Sequence, residues 1–353
     1  MQEMSSYFEK LRKAIEPTPD RKKEAQEADD PVREHLETHE CFADRHITTF
    51  LYGSYKRSTA VGDIKDVDIV VVTNYTTDDD PVEVLDEIKD ALAELYDEPD
   101  LADQRRSIRI DRPLPNVPDS ELTLDIIPAI YQHEDDPDGP LWVPDRDKKE
   151  WIPSHPKGHI QRASDLNADS HRERAFVQLT KMMKWWWKYQ FEKRKPEVVG
   201  HERKPKGFWI EVMAGEYANL TKESYPEMIV ALMENAFKAF KNFRTTGIMP
   251  TLPDPGLRDY SDPDYRYIKT SMDKDEFGFF LDVLEESLGW AREALNADSE
   301  YEASKLWRMF FGMVFPLALD DHATSSLLTP AAAPAVATFP DRPVLPRKPG
   351  GFA

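Results

Sequence analysis

The sequence predicts an α+β protein, in which helices and a mixed β-sheet form the first half and helices alone form the second half. Short runs rich in β-branched residues occupy much of residues 46–130. From residue 173 onward, apolar residues recur with a period near 3.6. The length of 353 residues suits two domains.

The elements of the first half follow from local patterns. Up to residue 45 we expect helices interrupted by Pro17 and Pro19, the first one with an apolar stripe. Four apolar runs then predict strands at 46–52, 67–73, 107–110 and 122–130. Helical spacing of apolar residues predicts a helix between the second and third strands, over 82–95.

In the second half, the spacing of apolar residues predicts five helices, at 173–190, 208–220, 226–243, 275–296 and 300–316. We therefore expect a first domain at 1–165, with its N-terminal helices, and a helical domain at 166–325. Residues 326–353 contain six prolines, a composition that predicts a flexible tail.

Composition excludes several classes of protein. No apolar run reaches the 18–20 residues that a membrane helix needs, and the charged N-terminus is unlike a signal peptide. A single cysteine, Cys41, permits neither an internal disulfide nor a cysteine-based zinc site, which fits the cytoplasm. The net charge of −20 makes stable binding to duplex nucleic acid a poor expectation.

Carboxylates in apolar strands are the main chemical signal. Asp66 and Asp68 lie two apart in a strand and so share one face, while the valines and isoleucine between and after them fill the other. A third acid, Asp125, lies in the middle of a later apolar strand. Neighbouring carboxylates repel unless a cation separates them, and their hard oxygens suit Mg²⁺. We therefore expect a two-metal site.

A Gly-Ser pair precedes these acids. Gly53 lets backbone amides approach a bound oxyanion closely, and the hydroxyl of Ser54 adds a donor. This pair predicts a phosphate-binding turn.

These motifs together resemble the DNA polymerase β-like nucleotidyltransferases. Gly53-Ser54 is followed after eleven residues by Asp66-x-Asp68 and later by Asp125. The flanking Leu-Asp-Ile-Ile-Pro-Ala, the segment 151–159 and Lys184-Trp185 resemble the bacterial CD-NTases of CBASS anti-phage systems. The resemblance implies a bilobal fold with a central cleft, in which Asp66, Asp68 and Asp125 hold two Mg²⁺ (or Mn²⁺) ions.

The resemblance also implies contacts to an NTP substrate. Lys184 is expected to contact the donor triphosphate, and Lys181 and Lys188 lie on the same side of its helix. Lys181 is a weaker candidate for this contact, because it could equally lie on a solvated face. Phe208 is expected to stack on a base. Gly207 stands where the family often has a serine, so a hydroxyl is absent there.

The sequence also contains two basic clusters and a pair of histidines. The basic residues 193–195 and 203–206 are expected to contact triphosphate or solvent rather than nucleic acid, given the acidic chain. His155 and His159 are four apart, but their proline-rich context predicts a loop and argues against a zinc site.

The predicted function is the joining of NTPs, ATP or GTP, into a cyclic di- or trinucleotide second messenger, with release of pyrophosphate. The alternatives are a synthase of linear oligonucleotides, a transferase acting on tRNA or protein, and an inactive nucleotide-binding scaffold.

The terminal Gly-Gly-Phe-Ala resembles C-termini that an E1/E2-like enzyme conjugates, which makes Ala353 the candidate site of conjugation. Base choice, linkage, ring size, activation trigger and oligomeric state stay open.

Overall fold

A seven-stranded mixed sheet forms the first half of the computed structural model, which describes residues 4–40, 42–62, 64–97, 100–111, 113, 122–170, 172–194 and 204–320. The strands run in the order β1-β2-β5-β4-β3, with β6 on β5 and β7 on β6. Their bounds are β1 His46–Tyr52, β2 Asp66–Thr73, β3 Leu101–Asp103, β4 Ile108–Asp111, β5 Thr123–Tyr131, β6 Leu141–Asp145 and β7 Glu150–Ser154.

The helices divide between the two halves. The first half contains α1 Ser5–Ala14, α2 Pro19–Thr38, α3 Gly53–Lys56, α4 Pro81–Leu92 and α5 Pro156–Ala168. The second contains α6 Ala175–Lys193, α7 Gly207–Tyr217, α8 Tyr225–Phe240, α9 Phe243–Thr246, α10 Lys274–Leu295 and α11 Glu300–Phe311, with a small hairpin of β8 Thr251–Pro253 and β9 Tyr267–Lys269. Among the described residues, no helix is long and apolar enough to cross a membrane.

The pairing of β2 places its acids at a defined edge of the sheet. It pairs antiparallel with β1 and parallel with β5. Side chains of β2 alternate, so Val67, Ile69 and Val71 pack with α2 and α4 in one apolar cluster. Asp66 and Asp68 consequently lie on the opposite face of the sheet.

The helical half has its own apolar cluster around α6. Trp186 of α6 is fully buried, and residues of α7, α8, α10 and α11 belong to the same cluster. Phe8 and Leu11 of α1 also belong to it, and Phe8 packs edge-on against Trp307 of α11 with ring centroids 5.0 Å apart. The start of the chain therefore helps to build the core of the helical half.

The predicted fold class is confirmed, and the predicted strands and helices appear with ends shifted by a few residues. Pro17 and Pro19 do separate two helices, because Pro19 occupies the first position of α2, where its missing N–H is not needed. The loop expected around residues 155–159 is wrong beyond His155, since Pro156 begins α5 in the same way. Strands β6 and β7 and the short β3 were not predicted.

Residues Met1–Leu317 form one compact unit. The proposed division at residue 165 stays a prediction, as does the flexible tail, because residues 321–353 lie outside the described part of the chain.

Candidate active site

Three aspartates meet on one face of the sheet. The parallel pairing of β2 with β5 sets Asp68 directly beside Asp125, and Asp66 lies two residues earlier on the same face. Asp66 is exposed, whereas Asp68 and Asp125 are partly buried. The two strands thus bring together the acids that the sequence predicted would share a site.

The carboxyl groups of this cluster perturb one another. Burial, followed by the charges of Asp66 and Asp125, raises the pKa of Asp68 to about 7. Burial and the charge of Asp66 also raise the pKa of Asp125, although Arg109 opposes this shift. The cluster holds more negative charge than its neighbours neutralise, which favours binding of a cation.

Gly53 lies against Asp68 at the start of α3. An ideal Cβ built on Gly53 would lie only 1.7 Å from Oδ2 of Asp68, and its φ of +70° is in the left-handed region. Both facts exclude side chains at this position. The turn therefore brings the backbone next to the aspartate cluster, and Ser54 follows in the first turn of α3, partly exposed.

The aspartate cluster fits a divalent metal ion. Oδ1 of Asp125 is buried and has no hydrogen-bond partner among the described residues, which is costly unless an ion or water meets it. The nearby Arg109 donates to Asp111 at 2.7 Å. Oxygen-only donors from three carboxylates suit a hard cation such as Mg²⁺.

Lys184 lies in a buried ion-pair network. Its Nζ donates to Oε2 of Glu211 at 2.9 Å and to Oγ1 of Thr59 at 3.0 Å. Arg57 donates to Oε1 of the same glutamate at 2.7 Å. Burial alone would raise the pKa of Glu211, but Lys184 and Arg57 lower it to about 2. The network joins the turn after β1 to α6 and α7.

Lys184 also lies next to Gly207. An ideal Cβ on Gly207 would lie 3.7 Å from Cε of Lys184, an ordinary contact. A serine would therefore fit there, and its absence has no steric cause. The contact of Lys184 with a triphosphate stays a prediction.

Lys181 does not lie on a solvated face. It is 4% exposed, and its Nζ donates to Glu16 at 2.6 Å, in the segment between α1 and α2. Its ion pair ties α6 to the N-terminal helices, so the cationic stripe expected on α6 is largely buried and paired.

Phe208 belongs to an aromatic group that links the two halves. Its ring lies 4.9 Å from that of His159, and the guanidinium of Arg57 lies between Phe208 and Tyr52, 5.0 and 5.1 Å from their centroids. Tyr52 OH and Nδ1 of His159 are 2.6 Å apart, and Nε2 of His159 is 2.7 Å from Asp254. Base stacking on Phe208 stays a prediction.

The ring nitrogens of His155 and His159 have different partners. The ring of His155 bonds to the backbone oxygens of Gly256 and Asp138, while His159 faces Tyr52 and Asp254. Each ring nitrogen of the two histidines already has a polar partner, and the sequence argument against zinc at this pair stays a prediction. The proposed loop is partly a helix.

Sequence reasoning did not single out Arg57, Thr59, Tyr52 or Asp254. Arg57 and Tyr52 flank the Gly-Ser turn, and that proximity was the available signal. No local sequence pattern indicates the role of Glu211. Its pairing with Arg57 joins residues 154 apart in the sequence, and its pairing with Lys184 joins residues 27 apart.

The described architecture and the aspartate cluster define a polymerase β-like nucleotidyltransferase. Comparison with known proteins narrows the class. The family model for the Second Messenger Oligonucleotide or Dinucleotide Synthetase domain matches residues 1–167. A cyclic AMP-AMP-AMP synthase from an Acinetobacter species is 32% identical, over 98% of this chain and 96% of that protein. A cyclic AMP-AMP-GMP synthase from Enterobacter hormaechei is 25% identical, over 99% of this chain and 100% of that protein.

Solved structures share the fold at lower identity. Escherichia coli CdnC with ATP superposes with a TM-score of 0.66 at 15% identity, covering 88% of this chain and 98% of that one. Vibrio cholerae DncV with a nonhydrolyzable GTP gives 0.56 at 15% identity, covering 88% and 81%. The chain belongs to the bacterial CD-NTases, the nucleotidyltransferases that make cyclic oligonucleotide second messengers.

Proposed function

We propose that this chain is a Mg²⁺-dependent synthase that joins three molecules of ATP into a cyclic triadenylate, which acts as a signal in anti-phage defence. The observation that carries the catalytic part is the aspartate cluster: Asp68 is fixed between Asp125 and the backbone of Gly53. A cluster of this kind, next to a glycine turn, supports transfer of a nucleotidyl group from a triphosphate.

The product is inferred from the relatives. The curated relatives compared above are named as synthases of cyclic trinucleotides that contain AMP, and the one with the higher identity is named for a product with three AMP units. ATP is therefore the substrate we propose, and GTP the competing candidate for one position.

Each residue of the site has a proposed task. Asp66 and Asp68 would hold two divalent ions and Asp125 one of them; bound there, the ions supply charge neutralisation of the triphosphate and activation of the attacking hydroxyl. Asp125 orients that hydroxyl toward the α-phosphorus. Gly53 and Ser54 hold the β- and γ-phosphates by backbone and hydroxyl donors.

The remaining contacts come from the helical half. Lys184 would turn from Glu211 toward the phosphates, and exposed Lys206, near enough to lower the pKa of Asp125, offers a second cation. Phe208 would stack on a base. A ribose hydroxyl attacks the α-phosphorus, the bond from this phosphorus to the oxygen that bridges to the β-phosphorus breaks, and pyrophosphate leaves. Repetition of this step, followed by ring closure, gives the product.

The test is incubation of the purified chain with ATP alone and with all four NTPs, in Mg²⁺ or Mn²⁺, followed by phosphatase treatment and mass spectrometry. We expect a phosphatase-resistant product with the mass of cyclic triadenylate. An Asp66→Asn/Asp68→Asn variant, with the same circular dichroism spectrum, should make none. Phosphatase-sensitive products would instead identify a linear oligonucleotide synthase, and a product that requires GTP would overturn the choice of bases.

The proposed conjugation of Ala353 by an E1/E2-like enzyme lies outside the described residues and stays a prediction. It is separable from synthesis, because removal of the terminal residues should abolish conjugation without changing the nucleotide product.

A further inference from the structure

Two histidines and a glutamate meet where α2 and α4 end. Each of His35, His39 and Glu94 offers a ligand atom, and these atoms lie within 4.8 Å of one another. No other group of three or more histidine, cysteine or acidic side chains this close was found in the described part of the chain. Both helices cover the sheet face opposite the aspartates, so this cluster is separate from the candidate active site.

The spacing within the cluster suits a small tetrahedral ion. Nε2 of His39 lies 3.1 Å from Oε1 of Glu94. Two ligands of a tetrahedral zinc ion, each about 2.0–2.1 Å from the metal, are separated by about 3.3 Å. The pair therefore needs little movement to share one ion.

The ring of His35 is already oriented by a backbone carbonyl. Its Nε2 lies 2.8 Å from the oxygen of Ala91 in the last turn of α4. A carbonyl only accepts hydrogen bonds, so Nε2 carries the proton and Nδ1 keeps the lone pair. Metal-binding histidines in proteins ordinarily donate their second N–H to a carbonyl or carboxylate in this way.

His39 lacks the partners that a buried imidazole normally has. Its side chain is 7% exposed, and Nδ1 is buried with no hydrogen-bond partner among the described residues. Its other nitrogen faces only Glu94, which is itself 66% exposed. An ion bound at Nε2 would replace this contact with an exposed carboxylate by a coordinate bond, and Nδ1 would carry the proton of the ring.

The supporting helices are anchored in the apolar core, and their ends favour a positive charge. Leu36 of α2 and Leu92 of α4 are fully buried in the apolar cluster below the histidines. The two helices end at Thr38 and Leu92, so the negative ends of both helix dipoles lie at the cluster. The ligands are thus held close together before any ion arrives.

We propose that His35, His39 and Glu94 bind one transition-metal ion of the zinc type, which ties the end of α2 to the end of α4. Imidazole nitrogens prefer zinc and its neighbours in the first transition series, whereas Mg²⁺ prefers oxygen ligands. A water molecule completes the coordination. The site is structural, because it adjoins no part of the aspartate cluster.

The test uses the full chain, stripped of metal with a chelator and kept in excess Mg²⁺ so that the aspartates are occupied. Zn²⁺ is titrated in competition with a chromophoric zinc chelator, and thermal unfolding is measured with and without Zn²⁺. We expect one bound equivalent and a higher unfolding temperature with Zn²⁺. In Glu94→Gln and His35→Ala the affinity should fall about tenfold or more, whereas His133→Ala, an exposed histidine outside the cluster, should match the parent chain.

Glu94→Gln keeps the proposal open to refutation, because a side chain 66% exposed can be changed without unfolding the protein. Equal zinc affinity and an equal thermal shift in the parent, Glu94→Gln and His35→Ala proteins would overturn it. The titration is repeated in Cys41→Ser. An equivalent that vanishes in that variant while surviving both ligand changes would assign the zinc to the thiol and would also overturn the proposal.

Discussion

Asp68 shows how strongly position changes the chemistry of a single residue. Burial, the charges of Asp66 and Asp125, and a small opposing effect of Arg57 give it a pKa of about 7. An unfolded aspartate has a pKa near 3.9. Without metal, the folded chain therefore holds a proton on Asp68 that the unfolded chain has lost between about pH 4 and 7, and the folded state loses stability as the pH rises through this range.

We predict that metal-free Asp68→Asn protein is more stable than the parent at pH 8, by about 2–4 kcal/mol, since one pKa unit corresponds to about 1.4 kcal/mol. The gain should shrink as the pH falls from 7 toward 4, because the parent then also carries a neutral group. Urea unfolding of both proteins in EDTA at several pH values measures this difference in unfolding free energy. Exposed Asp78→Asn is the control and should show no such gain; a gain for Asp68→Asn that is constant with pH would contradict the explanation.

The importance of the contact between Gly53 and Asp68 can be tested by comparison with a second glycine that has a similar backbone conformation. In Gly53→Ala the new Cβ would meet Oδ2 of Asp68 at 1.7 Å, and φ is +70°. We predict that synthesis falls about 100-fold or more, since small displacements of reacting groups have effects of that size. Gly62 has a similar φ of +65°, but its Cβ would meet nothing closer than 3.9 Å.

Gly62→Ala should therefore lose about 1–3 kcal/mol of unfolding free energy, because its backbone is strained in the same way, while its rate of synthesis stays unchanged. Product formation and thermal unfolding of both variants separate the two effects. Equal losses of activity in both would show that the left-handed backbone, and not the contact with Asp68, is what matters.

At the scale of elements, Glu211 fastens α7 to α6 and to the segment that follows α3. It is 4% exposed and lies between Arg57 and Lys184, with Thr59 donating to it at 2.7 Å. A buried charge with two cations and a hydroxyl is well satisfied. Removing it strands both cations in the interior, which costs more than the pairs themselves contribute.

We predict that Glu211→Gln loses about 3–5 kcal/mol of unfolding free energy. Glu216, on the same helix, pairs with Arg258 at the surface. Glu216→Gln should lose less than about 1 kcal/mol. Chemical denaturation of the two variants gives the comparison, and similar losses would show that the Glu211 network is no stronger than a surface pair.

The same scale explains which elements sequence patterns could predict. The strands around Asp68 and Asp125 and the helices α6, α8 and α10 carry regular apolar spacing, and that spacing is local. Helix α5 shows this apolar spacing only in part, because two of its buried residues, His159 and Pro156, are not typical of the apolar side of a helix. Strands β6 and β7 are short and contain prolines, which weakens any strand pattern.

At the scale of the whole molecule, residues Met1–Leu317 form one compact unit. We predict that a chain ending after Asp320 keeps its unfolding temperature and its nucleotide product. A chain ending after Leu295 should not fold, because it loses α11 and the fully buried Trp307 and Phe311. Thermal unfolding and product analysis of both truncations test this; a lower unfolding temperature for the longer one would show that residues beyond 320 contribute to the fold.

The sequence by itself determined the fold class, most of the strands and helices, the shared face of Asp66 and Asp68, and the Gly53-Ser54 turn. Each depends on the alternation of a strand, the period of a helix or the backbone freedom of glycine, all of which act over a few residues.

Only the tertiary structure decided that Asp125 lies directly beside Asp68, that Lys181 and Lys184 are held in ion pairs largely shielded from water, and that α1 packs into the helical core. These contacts join residues far apart in the sequence, from 27 apart for Lys184 with Glu211 to about 300 apart for Phe8 with Trp307. A lysine on a helix has the same local pattern whether it meets water or a buried glutamate. The difference lies in which distant segment covers it, and packing of the whole chain settles that.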